Sequence, residues 1–190
     1  MAQGYVDVPH SSYQEWYNNT IGNEYDLDGS YGCQCWDYAS LFWRNLGFPA
    51  GYPQTGNGYA YGCWTERKTV NAGSTFELIY DKTQIKKGDV VVLDKGRFTG
   101  DVSGHIAFAD ENYNGSDTLR LVGQNQENPS ATVGYKVTAD NMSIAKFLGA
   151  FRYPAWQPTP PTPTPSTERA NFKWVLYARK LNNKRNGNML

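Results

Sequence analysis

A cysteine, a histidine and an asparagine occur in this sequence in an order that suits nucleophilic catalysis. Cys35 opens a segment with helical spacing, whereas His105 and Asn125 lie in two segments with strand character. The N-terminus of a helix lowers the pKa of a thiol, an imidazole can pair with the thiolate, and an amide oxygen can orient the imidazole. We therefore expect a nucleophile, a base and an orienting group in the chain order Cys, His, Asn.

Immediately before Cys35 the sequence carries oxygen donors at the spacing of a calcium-binding loop. Counted from the first of them, the candidate ligands fall at positions 1, 3, 5, 7 and 12: Asp26, Asp28, Ser30, Gly32 through its carbonyl, and Asp37. Ca²⁺ prefers such oxygen ligands on a tightly turning chain, as in an EF-hand loop. Two residues depart from that loop, because Tyr31 replaces its glycine and Asp37 replaces its longer glutamate. The spacing predicts a structural Ca²⁺ site, and a simple polar turn is the alternative.

A helix and an antiparallel sheet are the elements expected to position these residues. Residues 35–46 carry apolar side chains at helical spacing and are followed by Gly47, a natural stop, and residues 11–21 predict a second short helix. Strands are predicted at 88–94, 105–110, 118–125 and 149–153. The segment 51–76 is dense in Gly, Tyr and Trp and predicts an irregular loop.

The turn between the second and third predicted strands sets which residue faces the histidine. Asn114-Gly115 is a strong hairpin signal. An odd-numbered loop centred on Gly115 places His105 opposite Asn125, whereas a two-residue turn places it opposite Gln124. Either register brings an imidazole and an amide together.

Alternation along the second of these strands places His105 on one face with Ala107 and Ala109. Two alanines leave room for another element to approach closely. We therefore expect the helix that begins at Cys35 to pack on the face that carries the histidine.

Composition and a proline-rich run predict the domain organisation. The 190-residue chain has zero net charge and a mean hydropathy of −0.64, with no segment of membrane-spanning length. Residues 157–167 alternate mainly Pro and Thr and predict an extended linker. We expect a catalytic domain at 1–156 and a short basic tail at 168–190, for which a solvated chain end and the start of a truncated C-terminal module are the two alternatives. The first residues lack the features of a secretory signal peptide, so none is expected.

Three cysteines leave one thiol unpaired in any arrangement. A bridge between Cys33 and Cys35 would close too small a ring, so Cys33 and Cys63 are the easy pair. Two half-buried free thiols are the alternative. In both cases Cys35 stays free.

Four ordered motifs resemble the successive signatures of the CHAP domain, the cysteine, histidine-dependent amidohydrolase/peptidase family. They are Gly-Cys-Gln-Cys-Trp-Asp at 32–37, Lys-Gly-Asp-Val-Val-Val-Leu at 87–93, Ser-Gly-His-Ile-Ala-Phe at 103–108 and Gly-Gln-Asn at 123–125. The resemblance covers residues 10–154 and implies a papain-like α+β fold, with N-terminal helices packed on an antiparallel sheet. It implies that Cys35 is the nucleophile, His105 the base and Asn125 the third member. Many relatives carry Glu where this chain has Gly123.

Several further residues are candidates for supporting roles. Gln34 is expected to help stabilise the oxyanion together with the Cys35 backbone N–H, or else to serve the calcium loop or the structure. Gln124 and Glu127 are further candidates beside Asn125. A substrate groove is expected to be lined by aromatic residues, with core packing as the alternative: Trp36, Tyr59, Tyr61 and Trp64.

The calcium-loop CHAP domains of phage endolysins that attack Gram-positive walls are the relatives that the sequence resembles. That resemblance implies a peptidoglycan hydrolase, and it favours endopeptidase action at a D-Ala–cross-bridge bond. An N-acetylmuramoyl-L-alanine amidase, a non-catalytic wall-binding CHAP-like module and a cysteine protease of other substrates are the alternatives. It also implies a monomer with structural Ca²⁺ that waits in the host cytoplasm and reaches the cell wall through a holin. No recognised nucleic-acid motif accompanies the basic tail.

Overall fold

The structure of the chain, a computed structural model, describes residues 2–53, 55–70, 74–126 and 134–158. A first structural unit ends at Gln157. Most of the predicted linker and all of the predicted basic tail lie outside the described residues. The helices of the described part are α1 (Tyr13–Thr20), α2 (Cys35–Asn45), α3 (Gly62–Thr65) and α4 (Arg67–Val70). None of the helices in this part is long and apolar enough to cross a membrane.

The strands form one antiparallel sheet, on which α2 packs. Its six strands within the described ranges are β1 (Glu77–Ile79), β2 (Val90–Leu93), β3 (His105–Ala109), β4 (Thr118–Gly123), β5 (Thr138–Ser143) and β6 (Phe147–Arg152). They lie in the order β1-β6-β2-β3-β4-β5, and every neighbouring pair is antiparallel. The expected α+β architecture is confirmed.

α2 begins at Cys35 because neighbouring groups satisfy the backbone around its first turn. The Asp37 carboxylate accepts hydrogen bonds from the backbone N–H groups of Leu27 and Gln34, each at 2.8 Å. An acidic group in the first turn also interacts favourably with the helix dipole. Gly47 follows the last turn with a φ of +88°, a conformation that favours glycine and ends the helix. The predicted helix is confirmed, with its first residue unchanged.

α2 packs on β3 through the face opposite to the one expected. The Phe108 ring centroid lies 5.0 Å from that of Tyr38 and 5.3 Å from that of Phe42. Ala107 and Ala109 belong instead to a second apolar core on the other face of the sheet. The prediction that the helix covers the alanine face is wrong, because the rings of α2 bury more apolar area against another aromatic side chain.

All four predicted strands are present, and the described residues also contain four elements that were not predicted. β2, β3 and β4 lie within their predicted ranges, and β6 begins two residues before its own. β5 has few strand-favouring residues, yet it pairs with β4 along its full length, from Thr138 opposite Gly123 to Ser143 opposite Thr118. Backbone pairing with a neighbour thus overrides local propensity there. The unpredicted elements are β1, β5 and the short helices α3 and α4.

Candidate active site

A pocket of about 610 Å³ opens where the N-terminus of α2 meets the start of β3. Cys35, His105 and Asn125 all line it, so the structure brings together the three residues proposed for catalysis from the sequence. Gln34 and Arg97 also line this pocket. These five residues place a thiol, an imidazole, two amides and a guanidinium around one pocket.

The Cys35 thiol lies at the helix start, but its environment differs from the expected one. Burial raises the pKa of the Cys35 thiol, and the nearby Asp37 carboxylate adds to the rise. The backbone N–H of Ile106 and the Arg97 guanidinium act in the opposite direction on this pKa. The expectation of a thiol pKa lowered by the helix N-terminus therefore does not hold, because desolvation is the largest effect. A raised pKa favours the neutral thiol over the thiolate in the resting site.

His105 is almost fully buried, with 2% of its surface exposed. Burial lowers the pKa of His105 to about 3, and the Arg97 guanidinium contributes in the same direction. Its Nε2 atom lies 3.3 Å from Oε1 of Gln126. A buried neutral imidazole can accept a proton from a neighbouring group and return it within the same catalytic cycle.

The observed register of the hairpin agrees with the odd-numbered alternative. Phe108 pairs with Val122 and Ala109 with Leu121, which is the register centred on Gly115. Beyond Gly123 the chain leaves the sheet.

Asn125 occupies this exit from β4. It adopts a φ of +55°, and its Nδ2 donates to Oε1 of Gln34 at 2.8 Å. The amide that lies against the His105 ring belongs to Gln126 instead. Sequence reasoning did not find Gln126, because its position depends on the turn of the backbone at Asn125.

The two glutamines expected to assist are held differently. Gln34 uses Nε2 to donate to the Tyr31 carbonyl at 2.6 Å, so its side chain joins the loop to Asn125. Gln124 is fully buried and exchanges hydrogen bonds with the backbone N–H and carbonyl of Tyr25, both at 2.9 Å. Its Nε2 also donates to the Gln34 carbonyl at 3.1 Å. Gln124 thereby ties the loop before Cys35 to the end of β4. Glu127, the other candidate, lies outside the described residues.

Arg97 is a pocket residue that the sequence analysis missed. Its Nε donates to Asp101 Oδ2 at 2.9 Å and its Nη2 to the Gly104 carbonyl at 3.0 Å. Its side chain is only 10% exposed. The guanidinium is therefore a fixed positive charge, which favours a thiolate at Cys35 and disfavours an imidazolium at His105.

Three of the five candidate calcium ligands lie close together. One carboxylate oxygen from each of Asp26, Asp28 and Asp37 lies within 4.8 Å of the others. Burial, together with the nearby carboxylates of Asp28 and Asp26, raises the pKa of Asp37 to about 7. Ser30 is exposed on the same turn, and Gly32 has a φ of +65°. Three acidic groups held this close form an arrangement that a hard cation would stabilise.

Tyr31, at the loop position where an EF-hand has glycine, adopts a φ of +62°. This left-handed conformation is the one that glycine supplies in such a loop. The departure in residue type therefore does not change the turn.

The four aromatic groove candidates separate into two groups. Trp36 and Tyr59 line the pocket, and Tyr61 stacks on Tyr59 with ring centroids 5.9 Å apart. Trp64 is buried in the core, where its ring lies 5.5 Å from that of Phe151. The structure thus places Trp64 in the core rather than in the groove.

Cys33 and Cys63 do not line this pocket. Cys33, Cys35 and Cys63 are all free thiols, and burial raises the pKa of Cys33 and Cys63. A surface groove of about 700 Å³ is lined by His10 and Glu15 among others, and no cysteine lines it.

Comparison with known proteins places this geometry in a family. A D-alanyl-L-alanine endopeptidase of Streptococcus phage B30 is 34% identical over 84 residues, which are 44% of this chain and 18% of that protein. The crystal structure of the wild-type endolysin LysIME-EF1 is similar with a TM-score of 0.58 and 29% identity, over 75% of this chain and 62% of that one. The chain therefore matches less than a fifth of the first relative and less than two thirds of the second. The CHAP domain profile matches residues 22–125, more than half of the chain, and the chain belongs to the CHAP domain family.

Proposed function

We propose that this chain is a peptidoglycan hydrolase of the phage endolysin type, which cleaves an amide bond of the Gram-positive cell wall. The observation that carries the proposal is the shared pocket of Cys35 and His105 at the junction of α2 and β3. The endopeptidase relative and the endolysin structure support the same reaction class. Because the relative is named for the D-alanyl–L-alanine bond, we favour cleavage between D-Ala and the cross-bridge.

Catalysis starts from a neutral thiol and a neutral imidazole. As the Cys35 sulfur attacks the carbonyl carbon, its proton passes to the His105 ring. The ring then gives this proton to the leaving amine while the C–N bond breaks, and a thioester remains. A water molecule attacks the thioester and gives a proton to His105. The acid is released, and the proton on the ring returns to the sulfur.

The tetrahedral intermediate needs hydrogen-bond donors at its oxyanion. The backbone N–H of Cys35 at the start of α2 is one candidate, and Gln34 lies beside it in the pocket wall. Asn125 holds Gln34 in place through its 2.8 Å hydrogen bond. In this proposal Asn125 acts on the oxyanion side of the site.

Ca²⁺ is the cofactor that we propose for the acidic loop, with a structural role. Asp26, Asp28 and Asp37 would hold it, assisted by Ser30 and the Gly32 carbonyl. The ion would supply positive charge to three carboxylates that otherwise repel one another. Asp37 also binds the backbone N–H of Gln34 at 2.8 Å, directly before the nucleophile. The occupied loop would thereby stabilise the start of α2.

Trp36, Tyr59 and the stacked Tyr61 are proposed to form the wall of the substrate groove. We further propose that the protein acts as a monomer, remains in the host cytoplasm until lysis, and then reaches peptidoglycan through a holin-dependent route. Kinship with phage lytic proteins supports this sequence of locations.

Digestion of purified Gram-positive walls tests the proposed reaction and its bond. Mass spectrometry is expected to find free amino termini on cross-bridge residues, with stem peptides still attached to glycan. Unsubstituted glycan together with released stem peptides that begin with free L-Ala would identify an N-acetylmuramoyl-L-alanine amidase instead. Walls that bind the protein but remain uncut would identify a non-catalytic module.

A further inference from the structure

We propose that Gln126 orients the ring of His105 and fixes the tautomer that leaves Nδ1 free to take the proton of Cys35. In this role Gln126 is a positioning residue, which acts on the reaction through the histidine. The inference rests on the proposed function of His105 as the base.

The orientation of the Gln126 amide is determined by what surrounds its nitrogen. Nε2 lies 3.1 Å from each of three acceptors, the Leu121 carbonyl, the Thr138 carbonyl and Oδ2 of Asp140. An amide nitrogen donates hydrogens, whereas an amide oxygen only accepts them. Rotating the amide by half a turn would place its oxygen against three other oxygens. Oε1 is therefore the atom that faces the histidine.

This orientation determines where the imidazole carries its hydrogen. Oε1 of Gln126 can only accept, so the 3.3 Å contact requires a hydrogen on Nε2 of His105. Burial keeps the ring neutral, since it lowers the pKa of His105 to about 3. A neutral imidazole with hydrogen on Nε2 has its lone pair on Nδ1. Nδ1 is then the atom that accepts the thiol proton.

Gly123 provides the space that lets Gln126 reach the histidine. A Cβ at position 123 would lie 3.0 Å from Oε1 of Gln126 and 3.1 Å from Cβ of Ala107. The backbone turns at Asn125, whose φ is +55°, and the Gln126 side chain returns over β4. Glycine within a strand often marks such a close approach. The glycine and the glutamine therefore form one structural unit.

Nitrogen-15 NMR of the histidine rings tests the tautomer without any assay of activity. The chain contains only two histidines. Nδ1 of His10 lies 2.8 Å from the Val8 carbonyl, so this ring carries its hydrogen on Nδ1. At mildly alkaline pH the wild-type protein is expected to show two neutral rings of opposite tautomer, with His10 as the internal reference. A His105 ring protonated at Nδ1 alone, or at both nitrogens, overturns the proposal.

Substitution tests whether Gln126 is the cause. Gln126→Met keeps the length of the side chain but removes the acceptor, and it is expected to mix the tautomers of His105 and to lower kcat about tenfold with little change in KM. Gly123→Ala leaves the amide in place but displaces Oε1, so a smaller change in the same direction is expected. Gln14→Met is the matched control, because it makes the same substitution at an exposed glutamine of α1, whose amide donates to Asn18. It is expected to leave the tautomer and kcat close to those of the wild type.

The outcomes separate this proposal from the proposed function. An unchanged tautomer and kcat in Gln126→Met would overturn the positioning role, as would an equal loss in Gln14→Met. If Gln126→Met does not fold, the wild-type spectrum and Gly123→Ala still decide the question. If Cys35→Ser remains active while the tautomers behave as expected, the proposed function fails and the assignment of the amide stands.

Discussion

Asn125 and Gln34 are joined by a 2.8 Å hydrogen bond between Nδ2 and Oε1, which links the end of β4 to the residue before the nucleophile. Gln34 in turn donates to the Tyr31 carbonyl of the acidic loop. Two segments distant in sequence, the loop before α2 and the end of β4, thus meet through two amide side chains. The positions of the nucleophile and of the loop are coupled by these contacts.

The link between Gln34 and Asn125 should be measurable as a coupling free energy. Alanine substitutions at both positions, singly and together, are expected to give an interaction of about 1 kcal/mol in the free energy of unfolding. The exposed pair Gln14 and Asn18 has the same chemistry at 3.0 Å and serves as the control. Its coupling is expected to be a few tenths of a kcal/mol. Chemical denaturation measures both cycles, and equal couplings would contradict the structural role of the part-buried pair Gln34 and Asn125.

Cys35→Ser is expected to abolish wall lysis while leaving the melting temperature close to that of the wild type, because one sulfur atom is replaced by oxygen in an unchanged helix. Loss of turbidity of purified walls measures the activity. Cys33→Ser is the control, since Cys33 is also a free thiol but does not line the pocket. Lysis by Cys35→Ser at a rate near that of the wild type would show that Cys35 is not the nucleophile.

Removal of Ca²⁺ by a chelator is expected to lower the melting temperature and the rate of lysis, and added Ca²⁺ should restore both. A ligand at a hundredfold excess over its Kd stabilises the folded state by about 2.7 kcal/mol. Asp28→Asn should remove most of this shift, because it takes a charge from the cluster while keeping an acceptor for the Ser30 N–H. Asp117→Asn removes an equal charge from an exposed pair with Lys82 and should leave the shift intact. Identical melting curves with and without chelator would exclude a structural ion.

Acidification should destabilise the protein partly through His105. Its pKa falls from 6.5 to about 3 on folding, so the unfolded chain binds the proton more readily between these values. The contribution of His105 to stability is therefore complete above about pH 6.5 and is lost as the pH falls towards about 3. The slope approaches about 1.4 kcal/mol per pH unit within that window. Denaturation of wild type and His105→Asn at several pH values should give a difference that shrinks on acidification, and a constant difference would contradict the burial effect.

The hairpin and the nucleophilic helix could be predicted because local rules determine them. Asn114-Gly115 marks the hairpin, and strand pairing selects one of the two registers that the sequence left open. Gly47 ends the helix that Cys35 begins. Alternation identified which side chains share a face of β3, but it could not say which face α2 covers. That choice depends on Phe108 and its aromatic neighbours, which come from distant parts of the chain.

The part of the site that escaped prediction depends on one backbone torsion. Asn125 carries a positive φ, which no strand pattern indicates, and this torsion brings Gln126 to the histidine. The best sequence indication of a close approach was Gly123, because the other residues of β4 all carry larger side chains. The pKa of Cys35 was misjudged for a related reason, because the helix N-terminus is visible in sequence whereas the depth of burial is not.

The contact between Trp64 and Gly149 limits how the specificity of this domain can be re-engineered. A Cβ at Gly149 would lie only 2.1 Å from the Trp64 ring. The indole can therefore pack on β6 only because residue 149 has no side chain. Trp64 lies three residues after Tyr61, beyond the segment that carries Tyr59 and Tyr61. A chimera that imports a foreign substrate loop should therefore exchange residues up to Tyr61 and retain Trp64, because a graft that crosses this point would also need a new partner on β6.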